Sequence, residues 1–379
     1  MPEPTKAASG PRLRFIDMTR AVAILLMLEG HFVQITLSPE WHLPGHPLYE
    51  KWLHVRGFAA PMFYMVTGMI FAFLMSGAAT DEPFFKVRRV RRGLLRVAEL
   101  FFWGYLLQFQ PYLLTGDHGI QADSWLITCH VLQSIAIGLL VMIATFGVLR
   151  RARPEVQIAV FALYGFAIFL IGVLLANHDG YWPSQAPAII QNMVKGPTSH
   201  FPVAPWLGFT FYGAAIGVLV RHIQNGKPAV MNPLGFLAAG AFLCYYGWPI
   251  DRALGTRFLN WLDFGADGRT QLDFFHARFG ESLLILGLVI CVDKWMKINT
   301  SWIQTIGRNT FPIYIIHVIV LYGGIFGIGL NNAFENALNP WQSSIGAVVF
   351  CAVFALLAQV IDPLKQRWIT WRESRAAPL

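Results

Sequence analysis

Charge is scarce in this sequence. Asp, Glu, Lys and Arg make up only 13% of the 379 residues, about half of the roughly 25% usual in a soluble domain. Set against 55% apolar residues, that shortage excludes a water-soluble globular domain and leaves an integral membrane protein. Cysteine is also scarce. Cys129, Cys244, Cys291 and Cys351 lie in or beside apolar runs without close Cys–Cys spacing, which excludes a disulfide frame or cysteine metal centre and leaves small buried hydrophobes. No Walker loop, dinucleotide fingerprint, zinc-protease motif or nucleophile elbow occurs. The histidines lack tight ligand spacing, so no metal is expected. The first apolar run is broken by Glu29 and His31 and has no small-x-small exit, so no cleavable signal is expected either.

What is present is a series of apolar runs. They predict an all-α polytopic bundle of about ten transmembrane helices, near residues 12–37, 58–75, 94–114, 125–148, 156–176, 206–220, 233–248, 276–292, 310–328 and 343–360. Residues 1–11 read as a disordered tail, 12–365 as the membrane domain and 366–379 as a basic tail. The Lys86–Arg96, Arg150–Arg153, Arg221–Lys227 and Lys294–Arg308 stretches and both ends fall on one side, which the positive-inside rule makes the cytoplasm. The net charge of +8 therefore reports cytoplasmic loops and not a nucleic-acid partner. The expected location is a bacterial inner membrane. The opposite loops are long and Trp-rich, and Gly208, Gly213 and Gly217 offer small faces for helix packing.

The first helix breaks the apolar pattern. Asp17, Arg20, Ile24, Met27, His31 and Gln34 follow steps of three and four, which places them on one stripe. An ionisable residue within a span costs about 2.5–3.5 kcal/mol at the bilayer centre, so such groups are rarely idle. Eleven residues separate Arg20 from His31, about 16 Å along a helix. His31 is a candidate general base, with a satisfied interhelical hydrogen bond as the plainer reading. Asp17 and Arg20 are spaced to pair. Glu29, about 160° round the wheel from His31, is a second base or the neutraliser of a neighbouring Arg. His42 lies eleven residues beyond His31 in a loop that also holds His46, His54, Trp41 and Trp52.

In IGRNTFPIYIIHVIV, Asn309 or Thr310 is expected to cap the ninth helix, with Pro312 in its first turn and Gly307 permitting a tight approach. A helix N-terminus beside Arg308 suits a phosphate, and His317 falls on nearly the same face as Asn309. Arg88 and Arg92 in the Lys86–Arg96 stretch suit anionic membrane lipid or an anionic cosubstrate. His130, Gln133 and Ser134 share a face of the fourth helix and are expected to line the same cavity.

Four segments in order, IDMTRAVAILLMLEGH, RGFAAPMFYMVTG, PWLGFTFYGAAIGVLV and IGRNTFPIYIIHVIV, resemble the heparan-α-glucosaminide N-acetyltransferase catalytic-domain family, within the wider multi-pass membrane acyltransferases. The likeness runs from about residue 14 to 325. Asp17 and Arg20 match the family's Asp-x-x-Arg opening, and His31 matches the polar position that ends that motif. In the glucosaminide branch that position is Asn with a His eleven residues on, where His42 stands here; Ala21 replaces the usual Gly. The resemblance implies acetyl-CoA or another acyl-CoA as cosubstrate, bound from the cytoplasm; Arg20, Arg88, Arg92, Arg308 and Asn309, by their place at the cytoplasmic mouth, are expected to hold it. It implies transfer to an amine or hydroxyl of a sugar or glycoconjugate on the far side, with His31, His42 or Glu29 as catalytic groups. Asp17, Gln34, His130, Gln133 and His317 would line the cavity. Two readings stand beside it: a proton-coupled transporter with Glu29, His31 and His317 as relays, and a catalytically silent subunit of a membrane complex. A homodimer is compatible with all three.

Overall fold

The computed structural model describes residues 13–78, 81–109, 128–177, 185–194, 199–224, 232–246, 266–296 and 299–376. Lipid cannot satisfy backbone N–H and C=O groups, so spanning segments must satisfy their own, and the long apolar runs accordingly fold as helices. In chain order these are α1 (Arg14–Thr36), α2 (Pro47–Arg56), α3 (Ala59–Met75), α4 (Arg88–Gln108), α5 (Val131–Leu149), α6 (Pro154–Asn177), α7 (Ala188–Val194) and α8 (Val203–Gln224). They continue with α9 (Pro233–Tyr246), then α10 (Ala266–Trp295), α11 (Ser301–Arg308), α12 (Thr310–Tyr322), α13 (Asn331–Phe334) and α14 (Pro340–Ala376).

Six stretches are long and apolar enough to cross a bilayer: Pro47–Met75, Val131–Leu149, Pro154–Ala176, Val203–Ile223, Leu272–Trp295 and Pro340–Lys365. The pair α11–α12, bent by 68°, makes a seventh when taken as one span. The chain is thus a polytopic helical membrane protein. Helices also stand at the three remaining expected positions. Of these α1 and α4 carry several charges, and α9 is a shorter apolar helix.

Several boundaries differ from the sequence reading. The loop after α1 contains α2, which begins with Pro47 at its first position, where the missing N–H is tolerated. The ninth helix stops at Tyr322 and not near 328, because Gly323 takes a left-handed conformation (φ 81°) and ends it. Asn309 makes no side-chain cap to α12. Its amide instead donates to the Thr305 carbonyl at 2.9 Å and to Asp362 at 3.0 Å, which fixes it at the bend. The last helix runs unbroken through 366 to Ala376. Residues 1–11 and 110–127, the latter holding parts of two expected spans, lie outside the described residues.

Close backbone approach organises the interior. A Cβ added at Gly213 would sit 2.0 Å from the Met65 carbonyl oxygen, and one at Gly217 would sit 2.2 Å from that of Met69. Small residues therefore let α8 lie directly on α3, the packing that drives association where lipid removes the hydrophobic term. Gly307 does the same for α11 against α1, with a notional Cβ 1.7 Å from the Asp17 carbonyl oxygen. Burial separates inner from outer helices: 67% of the apolar window is buried in α5 and in α8, against 28% in α6 and 22% in α14. The last two form the lipid-facing wall, and α1, α3, α5 and α8 lie inside it.

Candidate functional site

Two helices carry the ionisable stripe and its partner. On α1, His31 Nδ1 lies 3.2 Å from Nε2 of His317 on α12, with the rings stacked at 5.4 Å. His317 is fully buried, and its Nδ1 lies 3.3 Å from the Ile313 carbonyl oxygen. A carbonyl only accepts, so in the neutral pair His317 carries its proton on Nδ1 and accepts on Nε2. His31 must then donate from Nδ1, which leaves its Nε2 lone pair free. That is the tautomer a general base requires. Tyr314 and Tyr322 pack edge-on around the pair, at 5.2 Å from His317 and 6.1 Å from His31.

At the end of the same seam nearer the start of α1, Arg20 donates to the Thr310 hydroxyl at 2.5 Å. Arg20 and His31, on one stripe of α1, thus both reach α12. Asp17 is buried on α1 where Gly307 crosses it. Arg308 and Asn309 join the mouth of the seam but are committed to Asp362 on α14, at 3.2 and 3.0 Å. Among the described residues Arg308 Nε and Asn309 Oδ1, both buried, have no hydrogen-bond partner. Of the basic stretch on α4, Arg88 and Arg92 are exposed, whereas Arg96 lies 3.8 Å over the Phe311 ring in the first turn of α12. Arg96 was not singled out by sequence. Its place one turn beyond Arg92 on the helix was the available signal.

The groups at the other end of α1 form a second network, which Arg56 joins to the pair by lying close enough to His31 and Tyr322 to interact with both. The Trp52 indole donates to Glu29 at 2.7 Å, and Arg56 donates to Gln34. His42 stacks on Tyr49 at 5.7 Å, and Tyr49 stacks on Trp52 at 5.7 Å. His42 and Glu29 are thereby tied to α2 and not to the His31–His317 pair.

A second polar cluster lies between α3, α4, α5 and α8. Tyr64, Gln133, Ser134 and Thr210 are each completely buried. The Tyr64 hydroxyl faces Ser134; among the described residues the Thr210 hydroxyl, both amide atoms of Gln133 and the Gln108 amide have no hydrogen-bond partner, and the Tyr64 and Ser134 hydroxyls have none besides each other. A notional Cβ at Gly104 on α4 would meet Gln133 at 2.8 Å, and one at Gly138 on α5 would meet the Thr210 methyl at 3.6 Å, so the four helices share one junction. Aromatic rings cap it: Trp206 stacks on Tyr64 at 5.8 Å and meets Phe201 at 4.9 Å. Beside it His130 stacks on His200 at 5.2 Å. Each orphaned buried group costs about 1–3 kcal/mol, so a cluster of them calls for a polar occupant. Sequence pointed to Gln133 and Ser134 by helical spacing, but not to Tyr64 or Thr210, which sit in apolar runs with no periodic signal. By contrast His276 is a satisfied interior histidine, 3.1 Å from the Tyr212 hydroxyl and 3.1 Å from the Leu272 carbonyl. Among the described residues no group of three or more His, Cys, Asp or Glu is placed to hold a metal.

No curated protein matches the sequence. A family model described as an acyltransferase domain matches residues 13–360, which takes in the α1 stripe, the α3–α5–α8 junction and the α11–α12 bend. The match names the wide family and not the glucosaminide branch that the sequence resembles. The chain belongs to the acyltransferase-domain family of membrane proteins.

Proposed function

We propose that this protein transfers an acetyl or other acyl group from an acyl-CoA at the cytoplasmic face to a hydroxyl or amine of a sugar or glycoconjugate reaching the bundle from the other side. The single observation that carries this reading is the His31–His317 pair, hydrogen-bonded so that one lone pair stays free. In the reaction His31 Nε2 takes the proton from the acceptor O–H or N–H, and that oxygen or nitrogen attacks the thioester carbonyl. The C–S bond then breaks, and the CoA sulfur leaves with the proton carried by His31. A positioned base contributes about 10²–10⁴-fold to rate. His317 holds the tautomer; it does not itself need to exchange a proton.

Arg20, together with Arg96, which Glu99 shares at 2.7 Å, supplies positive charge for the donor's phosphates at the cytoplasmic end of the α1–α12 seam. The neutral groups of Tyr64, Gln133, Ser134 and Thr210, under the Trp206 and Phe201 rings, suit an uncharged polyhydroxyl acceptor. Hydroxyls of such a ligand both donate and accept, as this mixture of amide and hydroxyl groups demands.

Binding of acetyl-CoA and of free CoA to purified protein, with thiol release as the readout of transfer, tests the reading. Wild type is expected to bind both. Arg20→Ala is expected to weaken both by about tenfold, the loss of one charge-assisted contact of roughly 1.5–3 kcal/mol. His31→Ala is expected to keep binding and lose thiol release. Failure of the wild-type protein to bind either ligand would remove the enzymatic reading, and flux coupled to pH without thioester dependence would replace it with a transporter.

A further inference from the structure

A cleft of about 340 Å³ opens at the cytoplasmic ends of α3, α5, α6 and α8, lined by Ser76, Arg150, Gln157, Val218, Arg221 and His222. It lies on different helices from the α1–α12 seam. Arg89, in the first turn of α4, lies outside this lining but beside Arg221. A Cβ placed on Gly77 would meet Arg221 Nη2 at 2.7 Å and Arg89 Nη1 at 2.8 Å, so two guanidiniums converge on one point. Like charges held together are unfavourable unless an anion lies between them. Among the described residues none of the three arginines has a carboxylate partner. Arg89 donates to the Leu74 carbonyl and Arg150 to that of Glu82 at 2.8 Å, while Arg221 lies 5.3 Å over the Phe73 ring. The carboxylate beside the cleft, Glu155, is 3.6 Å from His222.

The surroundings point to the class of anion. Val148 and Ile223, at the ends of α5 and α8 next to the cleft, are 82% and 61% exposed, as expected of side chains that face acyl chains. An apolar recess bordered by Met75, Phe84 and Phe146 shares Ser76, Arg150 and Gln157 with the cleft. Charge therefore sits at headgroup level with apolar surface directly beneath it.

We propose that Arg89, Arg150 and Arg221 form a binding site for a phosphate-bearing ligand, distinct from the donor site of the α1–α12 seam. Guanidinium forks suit phosphate oxygens in two-bond geometry. A volume of about 340 Å³ holds a phosphate with a glycerol-sized substituent, and is at the small end of ligand pockets, roughly 300–1,000 Å³. Two sources supply this chemistry, a lipid headgroup and a soluble phosphate.

Purified protein in neutral detergent is titrated with dihexanoyl phosphatidic acid and, separately, with inorganic phosphate and CoA. The variants are Arg221→Gln, Arg150→Gln and, to retain charge and fold, Arg221→Lys; chromatographic size and melting temperature identify any variant that fails to fold. Phosphatidic acid binding is expected to fall about tenfold in Arg221→Gln and Arg150→Gln and less in Arg221→Lys, with CoA binding unchanged. Binding of the lipid but not of inorganic phosphate assigns the site to a headgroup. Comparable binding of both, equally sensitive to Arg221→Gln, assigns it to soluble phosphate. Phosphate and lipid affinities that are absent, or that are indifferent to Arg150 and Arg221, would overturn the proposal. So would loss of CoA binding alone in Arg221→Gln, which would make the cleft part of the donor site.

Discussion

The seam between α1 and α12 and the junction of α3, α5 and α8 are both buried and both polar, but they treat their polar groups differently. At the seam, His31 bonds to His317, which bonds to its own helix backbone, and Arg20 bonds to Thr310. At the junction, among the described residues, the Thr210 hydroxyl and the Gln133 amide have no hydrogen-bond partner, and the Tyr64 hydroxyl has only the Ser134 hydroxyl beside it. A group that must transfer protons is held in one orientation before reaction, because preorganisation lowers the barrier. A group that must receive a ligand keeps its hydrogen-bonding capacity unspent until the ligand arrives, at a cost in stability. Under the proposed function, the first region performs the chemistry and the second recognises the acceptor.

Substitutions sharpen that contrast from large effects to small. His31→Ala is expected to lower transfer by about 10²–10⁴-fold with donor binding intact; single-turnover thiol release measures it. His317→Leu removes the acceptor that fixes the His31 tautomer and is expected to cost up to about 10⁴-fold in kcat, no more than loss of the base itself. At the junction the sign of the stability effect reverses. Gln133→Leu removes two orphaned atoms and is expected to raise folding free energy by about 1 kcal/mol, read as a higher melting temperature. The same change raises the acceptor KM. A fall in melting temperature would show that Gln133 is structural. His42→Ala, which touches only the aromatic stack of the outer loop, is expected to change transfer by less than about twofold, since it sits apart from the pair that performs the chemistry.

Much of this was legible in the amino-acid order. The i, i+3, i+4 stripe of Asp17, Arg20, His31 and Gln34 predicted that this side of α1 meets protein, since lipid tolerates ionisable groups only where protein or water meets them; Arg20 and His31 reach α12, whereas Gln34 turns to Arg56. Gly213, Gly217 and Gly307 marked close helix crossings, and the structure places backbone carbonyls against all three. The partner of His31 was less visible. His317 read equally well as packing, because its pairing depends on how α12 tilts after the 68° bend, and no local pattern encodes that angle. Asn309 had the residue type of a cap, but Asp362, more than fifty residues away, competed for its amide and won. Helix ends in the outer loops were hidden for a related reason: α2 forms where Trp52 and Tyr49 pack back on the bundle. Tyr64 and Thr210 carried no signal, because one polar residue within an apolar helix reads the same whether or not it finds a partner.

The most direct test asks whether His31 stands where the two sides of the membrane meet. In reconstituted vesicles of known orientation, with the four native cysteines replaced by Ala, His31→Cys is exposed to a charged, membrane-impermeant thiol reagent from the outer face. Acetyl-CoA is present or absent at the cytoplasmic face. The account predicts labelling from outside that acetyl-CoA supplied from the other side suppresses. No labelling from either face, or labelling indifferent to acetyl-CoA, would contradict it.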